Sequence, residues 1–181
     1  MTQQQADPVQ QGLSYMRHQG AKSFGEIDAM LERTAGDWNQ CLGSMTDEQA
    51  TFRPEGEWCA KEVLGHVIVT ERSINQDIAS LAGIDPPAAP RVAEVRAMGV
   101  QSGDEESLPI SELRERIVGT FAENRKLAAS LEQSDKLETS FPHPIFGPLN
   151  LKEWLAFHRI HSMDHIQQID KIKTDPNYPS A

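Results

Sequence analysis

In four separate segments of this chain, apolar residues recur at or near the spacing of an α-helix. That spacing places the apolar side chains along one face of an α-helix. The four stripes consist of Phe24, Ile27, Leu31, Trp38 and Leu42; Val63, Val67, Ile74, Ile78 and Leu81; Ile110, Leu113, Ile117, Phe121, Leu127 and Leu131; and Leu151, Trp154, Ile169 and Ile172. No segment has a convincing strand pattern. Because each amphipathic helix must bury its apolar face, the sequence predicts an all-α fold, a four-helix bundle.

Capping signals indicate where these helices begin and end. Ser23 with Glu26 forms a capping box at the start of the first helix. Asn150 with Glu153 forms another at the start of the fourth. Gly83 is suited to the left-handed conformation that ends many helices, so we expect the second helix to stop there. The predicted helices cover residues 24–42, 59–82, 110–131 and 150–173.

The segments outside the stripes divide the chain into a bundle and its tails. Residues 84–107 contain three prolines and an acidic cluster, which predicts a long connection between the second and third helices. Residues 1–21 are glutamine-rich and aperiodic, so we interpret them as a disordered polar tail. The bundle should then occupy residues 22–174 and a short tail residues 175–181. Proline and glycine punctuate residues 141–150, a loop with room for a short hairpin.

Charge and cysteine content restrict the partners of the chain. Seventeen basic and twenty-seven acidic residues give a net charge of −10, which repels phosphate backbones, so we expect no nucleic-acid partner. Cys41 and Cys59 form no CxxC pair, which excludes a cysteine-rich zinc site and suits a reducing compartment. The first residues show no secretory signal, and no apolar run approaches the roughly 18 residues that span a bilayer. These features predict a cytoplasmic protein with no membrane partner.

The fourth predicted helix carries three of the six histidines, His158, His161 and His165. At about 100° per residue, all three share the face of the apolar stripe, and the last two lie one turn apart. An i, i+4 pair of histidines can direct two imidazoles at one metal ion. Reactive zinc sites usually have three protein ligands and one open position. His66, at the edge of the second stripe, is the candidate third ligand from another helix.

Each of these residues also has an interpretation without chemistry. Buried histidines are often simply hydrogen-bonded, and for His66 taken alone a satisfied core residue is the better interpretation. We interpret His18 and His143 as bystanders, although His143 would line a pocket if its loop folded over the bundle end. Trp58 and Trp154 stand at the starts of two helices, where we expect them to act as packing residues.

Two segments resemble the signatures of the DinB-like family. Residues 58–66, WCAKEVLGH, resemble that family's W-S-x-x-E-V-L-x-H segment. Residues 146–154, FGPLNLKEW, followed by His161 and His165, resemble its fourth-helix signature. The likeness extends over residues 24–173, although only the second and fourth helices carry specific motifs. It implies a four-helix bundle with a long connection between helices 2 and 3.

The resemblance also implies a metal site. A divalent ion, usually zinc or nickel, would be held by His66, His161 and His165, with His158 as a neighbour of the site. Some family members are similar to metal-dependent hydrolases, others are thiol-S-transferases that use bacillithiol or mycothiol, and many have no known activity. It further suggests a homodimer. Asp164 stands where many members carry Arg or His, so contacts to substrate should differ here.

The leading hypothesis is a metal-dependent hydrolase or thiol transferase that acts on a small molecule. The substrate would enter through an apolar cleft beneath the loop at residues 141–148. No general base is evident, because Glu62, Asp77 and Asp164 are interpreted as solvated charges. Two alternatives stay open: a non-catalytic metal-binding stress or interaction protein, and a metal-free bundle whose histidines only fill the core.

Overall fold

The computed structural model describes residues 7–85 and 107–180. These residues form six helices and one β-hairpin: α1 (Pro8–Gly20), α2 (Phe24–Leu42), α3 (Asp47–Thr51), α4 (Ala60–Ala82), α5 (Ile110–Leu131), β1 (Ser140–His143), β2 (Gly147–Asn150) and α6 (Leu151–Lys173). Within these ranges, no helix has both the length and the apolar character needed to cross a membrane.

The four long helices pack as a closed ring around one core. Helix α2 packs against α5 and α6, and α4 packs against the same two helices. Fully buried side chains come from all four predicted stripes and include Trp38, Ile78, Phe121 and Ile169. The predicted four-helix bundle is therefore confirmed. The predicted long connection between the second and third helices falls mainly at residues 86–106, outside the described residues.

Helix boundaries follow the predicted capping signals. The Ser23 backbone N–H donates to Glu26 Oε2 at 3.1 Å, and the Glu26 N–H donates to Ser23 Oγ at 3.3 Å. Asn150 and Glu153 make the same reciprocal pair at 2.8 and 2.9 Å. Gly83 has φ +70, the left-handed conformation that disfavours residues with a Cβ. Local chemistry thus sets the starts of α2 and α6 and the end of α4.

The expectation of a disordered tail is wrong over residues 8–20, which form helix α1. Asp7 caps this helix by accepting from the Val9 N–H at 3.0 Å, and proline occupies its first position. Met16 is fully buried, and α1 packs against α6. Leu13, Met16 and Gly20 have helical spacing, a signal that the surrounding glutamines obscured.

The loop before the last helix contains the short hairpin for which the sequence had room. Strands β1 and β2 are antiparallel, with Ser140 opposite Asn150 and His143 opposite Gly147. Because β2 runs directly into α6, the hairpin lies at the start of the histidine-bearing helix. The Trp154 indole N–H donates to Phe141 O at 3.2 Å, and the two rings stack at 4.3 Å.

Candidate metal centre

Helices α4 and α6 are neighbours in the ring, and this contact brings three predicted site residues together. His161 Nε2 lies 3.3 Å from His66 Nε2 and 3.2 Å from His165 Nε2. All three histidines are partly buried, and each offers one ring nitrogen within 4.8 Å of the others. The one-turn spacing of His161 and His165 thus brings their two Nε2 atoms together, as helical geometry predicts, and His66 faces them from α4.

The opposite ring nitrogens decide which tautomers are present. His161 Nδ1 lies 3.2 Å from Glu71 Oε1, and His165 Nδ1 lies 2.8 Å from Gln168 Oε1. A carboxylate and an amide oxygen only accept hydrogen bonds, so both Nδ1 atoms carry the proton. In the neutral ring, each Nε2 then presents a lone pair to the other.

Two lone pairs at 3.2 Å repel each other unless a cation lies between them. Two ligands at about 2.05 Å from a tetrahedral ion are about 3.3 Å apart, which matches the observed nitrogen separations. Imidazole is also a donor type that zinc and nickel accept. The residues present therefore fit a divalent metal of this kind.

Burial keeps the candidate ligand His165 in the form that binds metal. Burial, with the nearby His161, lowers the pKa of His165 to about 4, so this ring is neutral at pH 7. Burial alone would raise the pKa of Glu71, but the adjacent His158 and His161 more than offset it and lower the pKa to about 2. Glu71 is therefore an ionised carboxylate behind His161.

Glu71 belongs to a fully buried polar network that the sequence analysis missed. Its Oε2 contacts His158 Nδ1 and accepts from Asn124 Nδ2 at 3.0 Å. Asn75 Nδ2 donates to Asn124 Oδ1 at 2.6 Å, and Asn75 Oδ1 lies 3.2 Å from His158 Nε2. A signal existed, because Glu71 and Asn75 continue the stripe of Val67 at four-residue steps. Polar residues at core positions indicate a network or a site.

His158 lies beside the histidine cluster, as the resemblance implied. Its ring is fully buried, and neither nitrogen faces the three converging Nε2 atoms, because both are engaged with Glu71 and Asn75. The three histidines of α6 thus lie in two environments. His161 and His165 meet His66, whereas His158 points into the buried polar network.

A cavity of about 980 Å³ opens onto the three histidines. One wall is aromatic and comes from the hairpin and α6; the other is a polar face of α4. The aromatic wall consists of Phe141, His143, Phe146, Trp154 and Phe157, and the polar wall of Thr70, Ser73, Asp77 and Ser80. Phe157 stacks on His161 with ring centroids 5.3 Å apart. The volume is at the upper end of the range for small-molecule pockets.

His143 is not a bystander, because the hairpin folds over the bundle and places it in the cavity wall. Its Nδ1 accepts from the backbone N–H groups of Ile145 and Phe146 at 3.1 and 3.2 Å. Burial, with the nearby His161, lowers its pKa to about 4. The ring is therefore neutral at pH 7 and carries its proton on Nε2. No acceptor for this N–H is found among the described residues.

The other candidate residues divide between the helix cap and the cavity. Glu62 accepts from the Cys59 N–H at 2.8 Å and contacts Arg53, so it caps α4. Asp77 and Asp164 line the cavity, together with Trp58 and Trp154. Burial raises the pKa of Asp164, although its charge interaction with His161 opposes this.

Helix α1 passes close to the hairpin turn at Gly12. A Cβ at Gly12 would lie 2.8 Å from the Phe146 ring, closer than carbon atoms normally approach. Phe146 in turn belongs to the aromatic wall of the cavity. The segment that was expected to be disordered therefore positions part of the candidate site.

We expect Gly12→Ala to displace the Phe146 ring and destabilise the protein. The matched control is Gly36→Ala on α2, where a Cβ meets nothing within 4 Å. Both substitutions gain similar helix propensity, so overpacking should leave Gly12→Ala less stable than Gly36→Ala by about 1–3 kcal/mol. Urea denaturation of both variants measures this difference, and equal stabilities would show that Phe146 moves aside freely.

Fold and site together define the class: a four-helix bundle with converging histidines from two neighbouring helices beneath a hairpin. The chain belongs to the DinB superfamily, whose family model matches residues 30–169. The predicted DinB-like membership is thereby confirmed.

Two proteins of Bacillus subtilis are similar to this chain. The uncharacterized protein YuaE of strain 168 is 25% identical over 154 residues, which cover 75% of this chain and 90% of YuaE. The solved structure of YfiT, described as a probable metal-dependent hydrolase with an unusual four-helix bundle topology, superposes with a TM-score of 0.61. That match covers 96% of this chain and 91% of YfiT at 18% identity, so it bears on the fold.

Proposed function

We propose that this protein is a divalent-metal-dependent enzyme that hydrolyses a small molecule. The observation that carries the proposal is the convergence of three imidazole Nε2 atoms beside a cavity, with two tautomers set so that lone pairs meet. The likeness to YfiT, a probable metal-dependent hydrolase, supports the same reaction class. His66, His161 and His165 would hold the ion, and zinc or nickel suits the three imidazoles.

The residues around the histidines suit a hydrolytic reaction. When bound, the metal supplies Lewis acidity and lowers the pKa of water bound to it. Gln168 would hold the ring of His165 in the required tautomer. The aromatic wall gives one side of the cavity an apolar surface. His143 Nε2–H can donate a hydrogen bond to an acceptor on the substrate, such as a carbonyl oxygen.

The cavity suits a substrate with an apolar part and a polar part. Its aromatic wall would contact rings or alkyl groups, while the Ser73 hydroxyl group would face polar atoms. The carboxylates of Glu57, Asp77 and Asp164 also line the cavity and would add negative charge near the polar part of a substrate.

Thiol transfer is the second reaction that we propose to test. The family resemblance includes S-transferases that use bacillithiol or mycothiol, and a metal deprotonates a thiol bound to it. A panel of low-molecular-weight thiols with an electrophile distinguishes this reaction from hydrolysis of amide and ester substrates. Metal binding without turnover in both panels would favour the alternative of a non-catalytic metal-binding protein. Homodimer formation also remains a prediction, which light scattering at micromolar concentration checks.

Metal uptake is the first test of the proposal. We expect chelator-treated protein without a histidine tag to take up one zinc or nickel ion per chain. Binding only to the native state should add about 4 kcal/mol of stability at a thousandfold excess of metal over Kd, and so raise Tm. Elemental analysis and thermal unfolding measure the two effects. Folded protein that takes up neither ion would overturn the proposed function.

A further inference from the structure

We propose that Glu71 is the positioning residue of the metal centre, which it serves by holding the Nδ1 proton of His161. This inference rests on the proposed function, because a tautomer matters only if Nε2 binds an ion. Glu71 has no exposed surface and touches neither the cavity nor the converging nitrogens. Its role would therefore be exerted through His161.

The two carboxylate oxygens of Glu71 serve different histidines. Oε1 lies 3.2 Å from His161 Nδ1, and Oε2 contacts His158 Nδ1 and accepts from Asn124 at 3.0 Å. An acceptor at Nδ1 is the common outer partner of a metal-bound histidine, because it fixes the ring and its proton. Glu71 supplies that acceptor to His161, the ligand whose Nε2 lies next to both others.

The asparagines fix the direction of the network and explain the third histidine of α6. Asn124 must turn its NH₂ toward the carboxylate, so its oxygen accepts from Asn75. Asn75 then presents its own oxygen to His158 Nε2, which must donate. With Nδ1 facing Glu71, both ring nitrogens of His158 are donors, and the ring is an imidazolium. His158 thus balances the charge of Glu71 and leaves Oε1 available to His161.

Replacement of Glu71 by glutamine preserves the shape of the side chain but removes the pair of acceptor oxygens that face His158 and His161. An amide has one acceptor oxygen and one donor NH₂, so it cannot accept from both histidines. If the NH₂ faces His161, Nδ1 must accept and the proton moves to Nε2, the atom required for the metal. Loss of such an outer partner typically weakens metal binding by about 10- to 100-fold.

The experiment compares zinc affinity in the wild type, Glu71→Gln and Asp164→Asn by competition with a chromophoric chelator. Asp164→Asn is the matched control: it also removes a carboxylate that interacts with His161, but one without a hydrogen bond to a ligand nitrogen. We expect a loss of about 10- to 100-fold for Glu71→Gln and a much smaller loss for Asp164→Asn. Equal losses in the two variants, or no loss in Glu71→Gln, would overturn the proposal.

A second measurement keeps the test valid if Glu71→Gln fails to fold. Nitrogen-15 NMR of metal-free wild type reports the tautomer of His161 directly. We expect a protonated Nδ1 and an unprotonated Nε2; the reverse would overturn the proposal. Wild-type protein that binds no zinc would instead defeat the proposed function, so the two failures are distinguishable.

Discussion

Replacement of His161 by alanine is expected to abolish metal binding and, with it, any turnover that the wild type shows. His161 Nε2 is the shared neighbour of the other two candidate ligands, at 3.3 Å from His66 and 3.2 Å from His165. Without it, the ion would lose one of its three ligands, and the site would lose its connection to Glu71. The loss of zinc affinity should exceed the about 100-fold that outer partners contribute. Elemental analysis after dialysis and kcat/KM on any substrate found by the hydrolase or thiol panels measure the two effects.

The control for this prediction is Asp164→Ala, one helical turn from His161 on the same helix. Asp164 lines the cavity, but no hydrogen bond joins it to a ligand nitrogen. We expect Asp164→Ala to retain its metal and to change substrate preference, since the side chain faces the cavity near the ligands. Full activity of His161→Ala in an assay that the wild type passes would show that the metal is not the catalyst.

Helix positions in this chain were predictable because their ends are encoded locally. The capping box of Ser23 and Glu26 and the glycine at position 83 each act through neighbouring residues. Helix α1 escaped prediction because its stabilisation is tertiary: Met16 is buried against α6, whereas most of the helix surface is polar. A long apolar stripe identifies a helix that packs against two neighbours in the bundle. A helix that packs against a single neighbour needs only a few apolar residues.

Some residues of the candidate site could likewise be predicted from local sequence, whereas others depend on tertiary packing. The face shared by His161 and His165 follows from helical geometry, and the family resemblance pointed to His66. His143 was not predictable, because its place in the cavity wall depends on how the hairpin folds over the bundle. Glu71 could have been identified from the sequence, since it occupies a core position of α4 where a charge requires partners.

The largest expected loss of stability follows from replacement of His158 by leucine. His158 and Glu71 are both fully buried, and the hydrogen-bond directions make them an imidazolium and a carboxylate. Leucine removes the cation and leaves the carboxylate with two donors among the described residues, Asn124 and His161. Breaking one side of a buried ion pair typically costs about 3–5 kcal/mol, because the remaining charge is uncompensated.

The double variant Glu71→Gln/His158→Leu separates this charge effect from simple loss of packing. It carries the same leucine but no buried carboxylate, so metal-free protein should be more stable as the double variant than as His158→Leu alone. Urea denaturation with chelator present measures both. Added zinc should stabilise His158→Leu more than it stabilises the wild type, since the bound cation would compensate the carboxylate that His158 no longer neutralises. A cost below about 1 kcal/mol for His158→Leu, within the range of ordinary substitutions, would mean that His158 is a neutral core residue and that Glu71 finds its counter-charge elsewhere.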